Sequence, residues 1–422
     1  MKMVVAPMRR LPVVTAILVI DGGATVELQG KEGVADITSR ALIEGTRTRS
    51  ADDLIMALER LGTSISASAD WESSILKMTV MSPNLSQALG LMAETAIGPR
   101  FDDAAVTRVR EERLSEIVQM RSEPSVLADE TFASELYGSA SRYGIPLGGC
   151  EQSVRKISVD DVRAYHSSSF IPRAATLILA GDIDTDAAQE VALDKFGSWL
   201  GSVPDPAMRR PASATTRQIR VVDRSGAQQS ELRMGHIGVP RSVPEYFDVV
   251  VMNAVLGGLF SSRINLNLRE VHGFTYGASS YFDWRRDAGP FVVSTAVQSE
   301  VTGAAISEVL KEVNRIQDAA IQQEELSLAT SYLAGVFPIR YETADAVASG
   351  LASLVIFGLP DDYFTSYRSN ILGVTTEGVQ RAAQTFLHAQ DLNIVVAGNP
   401  DIVSSQLAAL GLGEVTVVRV DG

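Results

Sequence analysis

The feature that most constrains this chain is an internal repeat with a constant spacing. A helix-forming segment followed by an apolar strand occurs in residues 157–182 and recurs later in the chain. Val162 recurs as Val379 and Gly181 as Gly398, and both pairs are 217 positions apart (379 − 162 and 398 − 181). A constant offset across a helix, a loop and a strand indicates a duplicated domain of about two hundred residues.

The joint between the two copies is predicted from composition. Residues 204–216 contain three prolines and several small polar residues, which is typical of an exposed linker. The sequence therefore predicts an N-terminal domain at 1–203, a linker at 204–216 and a C-terminal domain at 217–422.

Within the first copy, strands and helices alternate, with one hairpin. Ser50 and Asp53 resemble a capping box that opens a helix, and Gly62 stops that helix. A long charged helix must end before Pro124, because the residue before a proline disfavours helical geometry. The other predicted elements are a first strand at 13–20, a hairpin of 65–69 with 75–80, a helix at 158–166 and a strand at 176–180. We expect an α+β fold in each domain, with helices on one face of a mostly antiparallel sheet.

Composition limits the possible partners and cofactors. The net charge of −14 disfavours binding to nucleic acid or to anionic membranes, and no apolar run is long enough to span a bilayer. The single cysteine, Cys150, can form neither an internal disulfide nor a cysteine-based zinc site. The four histidines, none within five residues of another, offer no short-range chelating pair: His166, His236, His272 and His388.

Residues 263–276 contain the strongest candidate binding residues. The segment predicts an amphipathic helix to Glu270, a C-terminal cap at Gly273 and a strand at 274–276. Arg269 at the helix end and Tyr276 on the strand are both hydrogen-bond donors, and in one cleft they could hold and polarise a peptide carbonyl. The alternatives are a solvated helix-end arginine and a tyrosine that packs on the sheet.

This arrangement resembles the Arg/Tyr pair in the second half of zinc peptidases of the M16 (insulinase, pitrilysin) family. An active M16 domain has the motif His-x-x-Glu-His, inside a longer pattern that ends in Gly-Thr. Alignment on Gly45-Thr46 places Asp36 and Arg40 at the histidine positions and Ser39 at the glutamate position. Glu116 corresponds to the family's third ligand, but Arg40 has no lone pair for a metal.

The resemblance implies a fold and a role. The expected fold is α+β, with two homologous domains of the M16 (LuxS/MPP-like) type, each a mostly antiparallel sheet covered by helices. The expected role is the non-zinc subunit of a heterodimeric peptidase, inactive alone, with no cofactor of its own. Arg269 and Tyr276 would act in trans on peptide substrates, beside zinc held by a homologous partner subunit that carries His-x-x-Glu-His.

Two other roles and two locations stay open. The chain could be a non-enzymatic scaffold, like the core subunits of the respiratory bc1 complex, or a peptide-binding homodimer. Its abrupt start, close to the first predicted strand, suggests a removed leader and hence the periplasm, with the cytoplasm as the alternative.

Overall fold

The computed structural model describes residues 1–201 and 217–419. The predicted linker at 204–216 lies outside the described residues. The chain forms two compact units, and neither is continuous in sequence. Unit 1 contains the described residues 1–117, 146–201 and 338–361, and unit 2 contains 118–145, 217–337 and 362–419.

The described residues form strands and helices in the following order. The strands are β1 Lys2–Pro7, β2 Val13–Asp21, β3 Ser66–Ala69, β4 Ser73–Met81, β5 Ala175–Gly181, β6 Ile219–Asp223, β7 Gln229–Ile237, β8 Ala278–Phe282, β9 Pro290–Gln298, β10 Asn393–Gly398 and β11 Val415–Val418. The α-helices are α1 Val34–Ala41, α2 Ala51–Arg60, α3 Leu85–Ile97, α4 Asp103–Met120, α5 Pro124–Tyr137, α6 Glu151–Val154, α7 Val159–Ser169, α8 Thr185–Phe196, α9 Tyr246–Asn253, α10 Arg263–Asn265, α11 Thr302–Asp318, α12 Gln323–Arg340, α13 Ala344–Phe357, α14 Tyr363–Leu372, α15 Thr376–Phe386 and α16 Pro400–Ala409. Two π-helical segments, Ala254–Gly258 and Leu266–Val271, extend α9 and α10.

Unit 1 is built on a five-stranded sheet in the order β1-β5-β2-β4-β3. The β1–β5 pair is parallel and the other pairs are antiparallel. Alternate residues of β2 face opposite sides, so Leu18 and Ile20 join the main core beneath α1, α3, α7 and α8. This agrees with the predicted α+β class and with the hairpin, which is formed by β3 and β4.

The second face of this sheet is covered by α13, a helix from the other half of the sequence. Ala348 and Ala352 of α13 pack against Ile17, Val19 and Ile178. The Lys77 Nζ lies 2.5 Å from the Asp345 carboxylate at the start of the helix. The expectation of helices on one face was therefore wrong for this unit, because a small-residue helix covers the other face.

Unit 2 contains a six-stranded sheet in the order β11-β6-β10-β7-β9-β8, and it in turn receives α5 from the first half of the sequence. Leu127, Phe132 and Leu136 of α5 are buried, and the helix packs on β7 and β10. Arg233 of β7 binds the Asp129 carboxylate at 2.6 Å. The predicted domains, 1–203 and 217–422, treat each half as continuous, whereas the two compact units exchange these helices.

The internal repeat is present in the structure. Helix α7 (Val159–Ser169) shifted by 217 positions gives 376–386, which is the range of α15, and β4 (Ser73–Met81) shifted likewise gives the range of β9. The two helices share their start, since Ser158 and Thr375 each accept a backbone N–H three residues on.

Two sequence expectations differ from the structure. The first strand is β1, not β2, and its parallel pairing with β5 left no alternating pattern to predict it from. By length and composition alone, the 26-residue stretch Tyr246–Val271 is long and apolar enough to cross a membrane, contrary to the prediction that no run is, although residues 259–262 interrupt the helical structure. Within the structure, 56% of its most apolar window is buried, as in the core helix of a globular protein.

Candidate functional site

The predicted zinc-motif positions lie on α1, which is fixed in place at its N-terminus. The Glu27 carboxylate is buried and accepts the backbone N–H groups of Gly33 and Ala35 at 3.0 and 2.8 Å. These are among the donors that a helix start leaves without partners, and a carboxylate there also favours the helix dipole. With Val34, Ile37 and Ala41 buried in the core, α1 directs Asp36 and Arg40 toward α4.

Asp36, Arg40 and Glu116 lie together in the structure, where they form an ion-pair cluster. The Arg40 Nε lies 3.0 Å from Asp36 Oδ2, and its Nη1 donates to Glu116 Oε1 at 2.7 Å. Arg113 donates to the other Glu116 oxygen at 3.1 Å and to the Gly148 carbonyl at 3.1 Å. We call Asp36, Arg40, Arg113 and Glu116 the arginine cluster.

The charges in the arginine cluster favour one another. The hydrogen bond from Arg40 is the main cause that lowers the pKa of Glu116, and the same bond raises the pKa of Arg40. Ser39 is fully buried beside them, and its hydroxyl has no hydrogen-bond partner in the described part of the chain.

These residues do not fit the zinc ion that an M16 motif would hold. The guanidinium of Arg40 occupies the contacts of Glu116 that a metal would need, and it carries a positive charge without a lone pair. Within residues 1–201 and 217–419, no group of three or more His, Cys, Asp or Glu side chains is arranged to hold a metal ion.

Arg269 lies in the π-helical segment Leu266–Val271 rather than at the end of a regular α-helix. Its guanidinium carbon is 4.4 Å from the centre of the Phe260 ring, within the range of a cation–π contact. Its Nε is 3.5 Å from the Glu270 carboxylate, while Nη1 is buried and has no hydrogen-bond partner among the described residues. Gly273 has a φ of 65° and follows the helix end, which confirms the predicted cap.

Tyr276 lies in a loop, so the predicted strand at 274–276 was wrong. Strand β8 begins two residues later, at Ala278, because Gly277 and the side chain of Thr275 form a local turn. The side chain of Tyr276 is 95% exposed, and in the described chain its hydroxyl has no partner. The structure brings Arg269 and Tyr276 onto one short segment of unit 2 without a hydrogen bond between them.

Sequence reasoning missed the residues that brace this segment. Thr295 of β9 is buried and donates to the Gly277 carbonyl at 3.0 Å. Asn265 is buried in the turn that precedes Arg269. The sequence shows Asn265 as a polar residue next to the apolar Ile264 in a predicted helix, but nothing in the sequence indicates its hydrogen-bond partners.

Comparison with known proteins defines the class. The family model for insulinase (peptidase family M16) matches residues 3–143, and the model for the peptidase M16 inactive domain matches residues 156–333. Both models belong to one family and together they match most of the chain. The protein therefore belongs to the M16 peptidase family, with the fold of two M16 domains.

Its relatives have names of two kinds. The uncharacterized zinc protease YmxG of Bacillus subtilis is 23% identical over 333 residues, which is 78% of this chain and 80% of that protein. The non-peptidase homolog YmxG of Helicobacter pylori is 22% identical over 389 residues, which is 90% of this chain and 88% of that protein.

Solved structures agree on the fold. An M16 inactive domain protein from Pseudomonas fluorescens has a TM-score of 0.88 at 23% identity, covering 94% of this chain and 95% of that one. A chain of complex III2 from Candida albicans has a TM-score of 0.79 at 15% identity, covering 95% of this chain and 94% of that one.

Proposed function

We propose that this chain is the non-zinc subunit of a heterodimeric M16 peptidase, and that a homologous subunit with His-x-x-Glu-His supplies the zinc ion and its activated water. The observation that carries this proposal is the contrast between two sites. In unit 1, Arg40 holds Glu116 in an ion pair, and both residues are at positions that resemble the family's zinc ligands. In unit 2, Arg269 and Tyr276 of the family's donor pair are both present.

The role of the pair follows from its chemistry. The guanidinium and the phenol are donors, and they can bind a peptide carbonyl and favour the negative charge that develops on it during hydrolysis. Such donors stabilise charge best where water is excluded. Tyr276 is almost fully exposed, so its hydroxyl would meet these conditions only when a substrate or another subunit covers it.

The first test measures zinc and hydrolysis with the purified chain alone. We expect no stoichiometric zinc and no peptide hydrolysis, because Arg40 repels a cation. One bound zinc ion per chain, or turnover without a partner, would contradict the proposal.

The second test uses the complex with a His-x-x-Glu-His subunit. Arg269→Ala and Tyr276→Phe should each lower turnover about ten- to thousandfold, as expected for loss of a transition-state donor. The control is Tyr332→Phe, which removes a half-exposed hydroxyl from α12 and should leave turnover unchanged. Wild-type rates in both site variants would remove the proposed role.

The second candidate function is a scaffold without peptidase activity. The likeness to a chain of complex III2 and the relative named a non-peptidase homolog favour it. Purification of the tagged chain from its host distinguishes the two: a zinc-bearing homologue supports the peptidase, and a membrane complex supports the scaffold. A purified homodimer that binds peptides would support the peptide-binding alternative.

A further inference from the structure

Two asparagine side chains form hydrogen bonds with the edge of β8 that faces away from β9. Asn265 Oδ1 accepts the backbone N–H of Ala278 at 3.0 Å. Asn253 Nδ2 donates to the Ser280 carbonyl at 3.0 Å, and Asn253 Oδ1 accepts the Ser280 hydroxyl at 2.7 Å. The two amides thus occupy backbone groups of β8 that point away from β9.

Asn265 differs from Asn253 because its Nδ2 also binds the segment that supports Arg269. Its Nδ2 donates to the Phe260 carbonyl at 2.6 Å, and the Phe260 ring lies against the Arg269 guanidinium. The Phe260 side chain is 72% exposed, so burial contributes little to its position. The ring is held through its own backbone, and Asn265 holds that backbone.

Through its Oδ1, Asn265 fixes the loop that carries Tyr276. Ala278, whose N–H it accepts, is two residues beyond Tyr276. The Tyr276 side chain makes no hydrogen bond or ion pair with the described part of the chain, and its loop is held through the backbone at Gly277 and Ala278. One carboxamide, 4% exposed, therefore connects the supports of both donors.

We propose that Asn265 is a positioning residue that sets the separation of Arg269 and Tyr276, and that Phe260 carries its effect to the guanidinium. The proposal rests on the proposed function of this pair. A carboxamide can accept from Ala278 and donate to Phe260 at once, whereas a carboxylate can only accept. An aspartate at this position keeps the acceptor but turns a carboxylate oxygen toward the Phe260 carbonyl.

The first experiment observes the isolated chain and needs no activity. The Nε–H signal of Arg269, identified by its loss in Arg269→Lys, is measured by nuclear magnetic resonance on the full chain. In the wild type, the Phe260 ring should shift this signal from its usual position, and Phe260→Leu should abolish that shift. Asn265→Asp should reduce the shift by at least half while the protein stays folded. A wild-type signal in folded Asn265→Asp would overturn the proposal.

Asn253→Leu is the matched control. It also removes a buried amide that binds β8, so a general loss of stability should be similar in Asn253→Leu and Asn265→Leu. Only Asn265→Leu should change the Arg269 signal, because Asn265 binds the Phe260 carbonyl whereas the hydrogen bonds described for the Asn253 side chain go to Ser280. Equal changes in both variants would mean that Asn265 acts through strand stability alone and would overturn the proposal.

The second experiment measures kcat and KM of the complex with a His-x-x-Glu-His subunit. Asn265→Asp should lower kcat about ten- to hundredfold, as for donors displaced by about 1 Å, with little change in KM. Asn253→Leu should retain its kcat. If Arg269→Ala and Tyr276→Phe leave turnover unchanged, the proposed function fails, and the spectroscopic result alone decides the role of Asn265. If they lower turnover and Asn265→Asp does not, the positioning role fails and the proposed function stands.

Discussion

The arginine cluster predicts a measurable coupling between Arg40 and Glu116. Arg40 is 34% exposed and Glu116 is 42% exposed, so the pair lies between a surface ion pair and a buried one. Exposed pairs contribute about 0.2–1 kcal/mol, and breaking a buried pair costs about 3–5 kcal/mol. Because Arg40 also binds Asp36, we expect Arg40→Met to lower the free energy of unfolding by about 1–2 kcal/mol.

The assay is a double-mutant cycle with Arg40→Met, Glu116→Gln and the double variant, each unfolded with urea. At pH 7 we expect a coupling free energy of about 1 kcal/mol between the two side chains. The more exposed pair of Arg108 and Glu112, separated by 2.7 Å on α4 with side chains 51% and 53% exposed, is the control and should give about 0.3–0.5 kcal/mol.

The coupling should depend on pH in one direction. The pKa of Glu116 is lowered in the folded protein, so its contribution is fully present above the ordinary glutamate pKa of about 4.3. It is lost as the pH falls through the lowered value, because the carboxyl then takes up a proton. A coupling near zero at pH 7, or one that is unchanged at pH 3, would refute this account of the cluster.

Two further predictions concern zinc and acid. The double variant Asp36→His/Arg40→His should bind about one zinc ion per chain, with Glu116 as the third ligand, and metal analysis after dialysis would measure this. Adding Glu116→Gln should weaken zinc binding. A folded double variant without zinc would mean that α1 and α4 no longer have the spacing of a metal site. Burial lowers the pKa of His236 to about 4, and its Nε2 accepts the backbone N–H of His388 at 3.1 Å. Between about pH 6.5 and 4 unfolding therefore takes up a proton, so the free energy of unfolding decreases as the pH falls through that range. His236→Leu should flatten this slope in urea unfolding, by up to about 1.4 kcal/mol per pH unit, and an unchanged slope would contradict the assignment.

Local signals in the sequence were sufficient for much of the fold. Ser50 starts α2 through a side-chain cap, as its spacing to Asp53 predicts, and Ser158 and Thr375 start their helices in the same way. The constant offset of 217 positions marked equivalent elements in the two halves. Helix caps and strand alternation act over a few residues, which is why a single sequence reveals them.

Exchange of α5 and α13 could not be predicted in the same way. Their apolar residues indicate burial, but not which sheet they cover. In the structure, Ala348 and Ala352 of α13 face the sheet of unit 1. That choice depends on contacts between residues far apart in the chain, and no local pattern encodes it.

The candidate site, like the fold, could be predicted from the sequence only in part. Alignment on Gly45-Thr46 singled out Asp36 and Arg40, and a separate resemblance singled out Glu116; in the structure α1 and α4 carry these three side chains into one ion-pair cluster. Neither resemblance indicated Arg113, which joins the cluster from α4. The loop of Tyr276 depends on hydrogen bonds to Thr275 and Thr295, so the strand expected there starts later.

The helix exchange has a consequence for how the chain can be divided. A fragment that stopped at residue 201 would lack α13, and Ile17, Val19 and Ile178 would then face water on one side of its sheet. A fragment that began at residue 217 would lack α5, and Arg233 would keep Glu231 but lose its other carboxylate partner, Asp129. Both halves of the chain thus contribute to the hydrophobic core of each unit. Although the halves are sequence repeats, we expect that neither folds without the other.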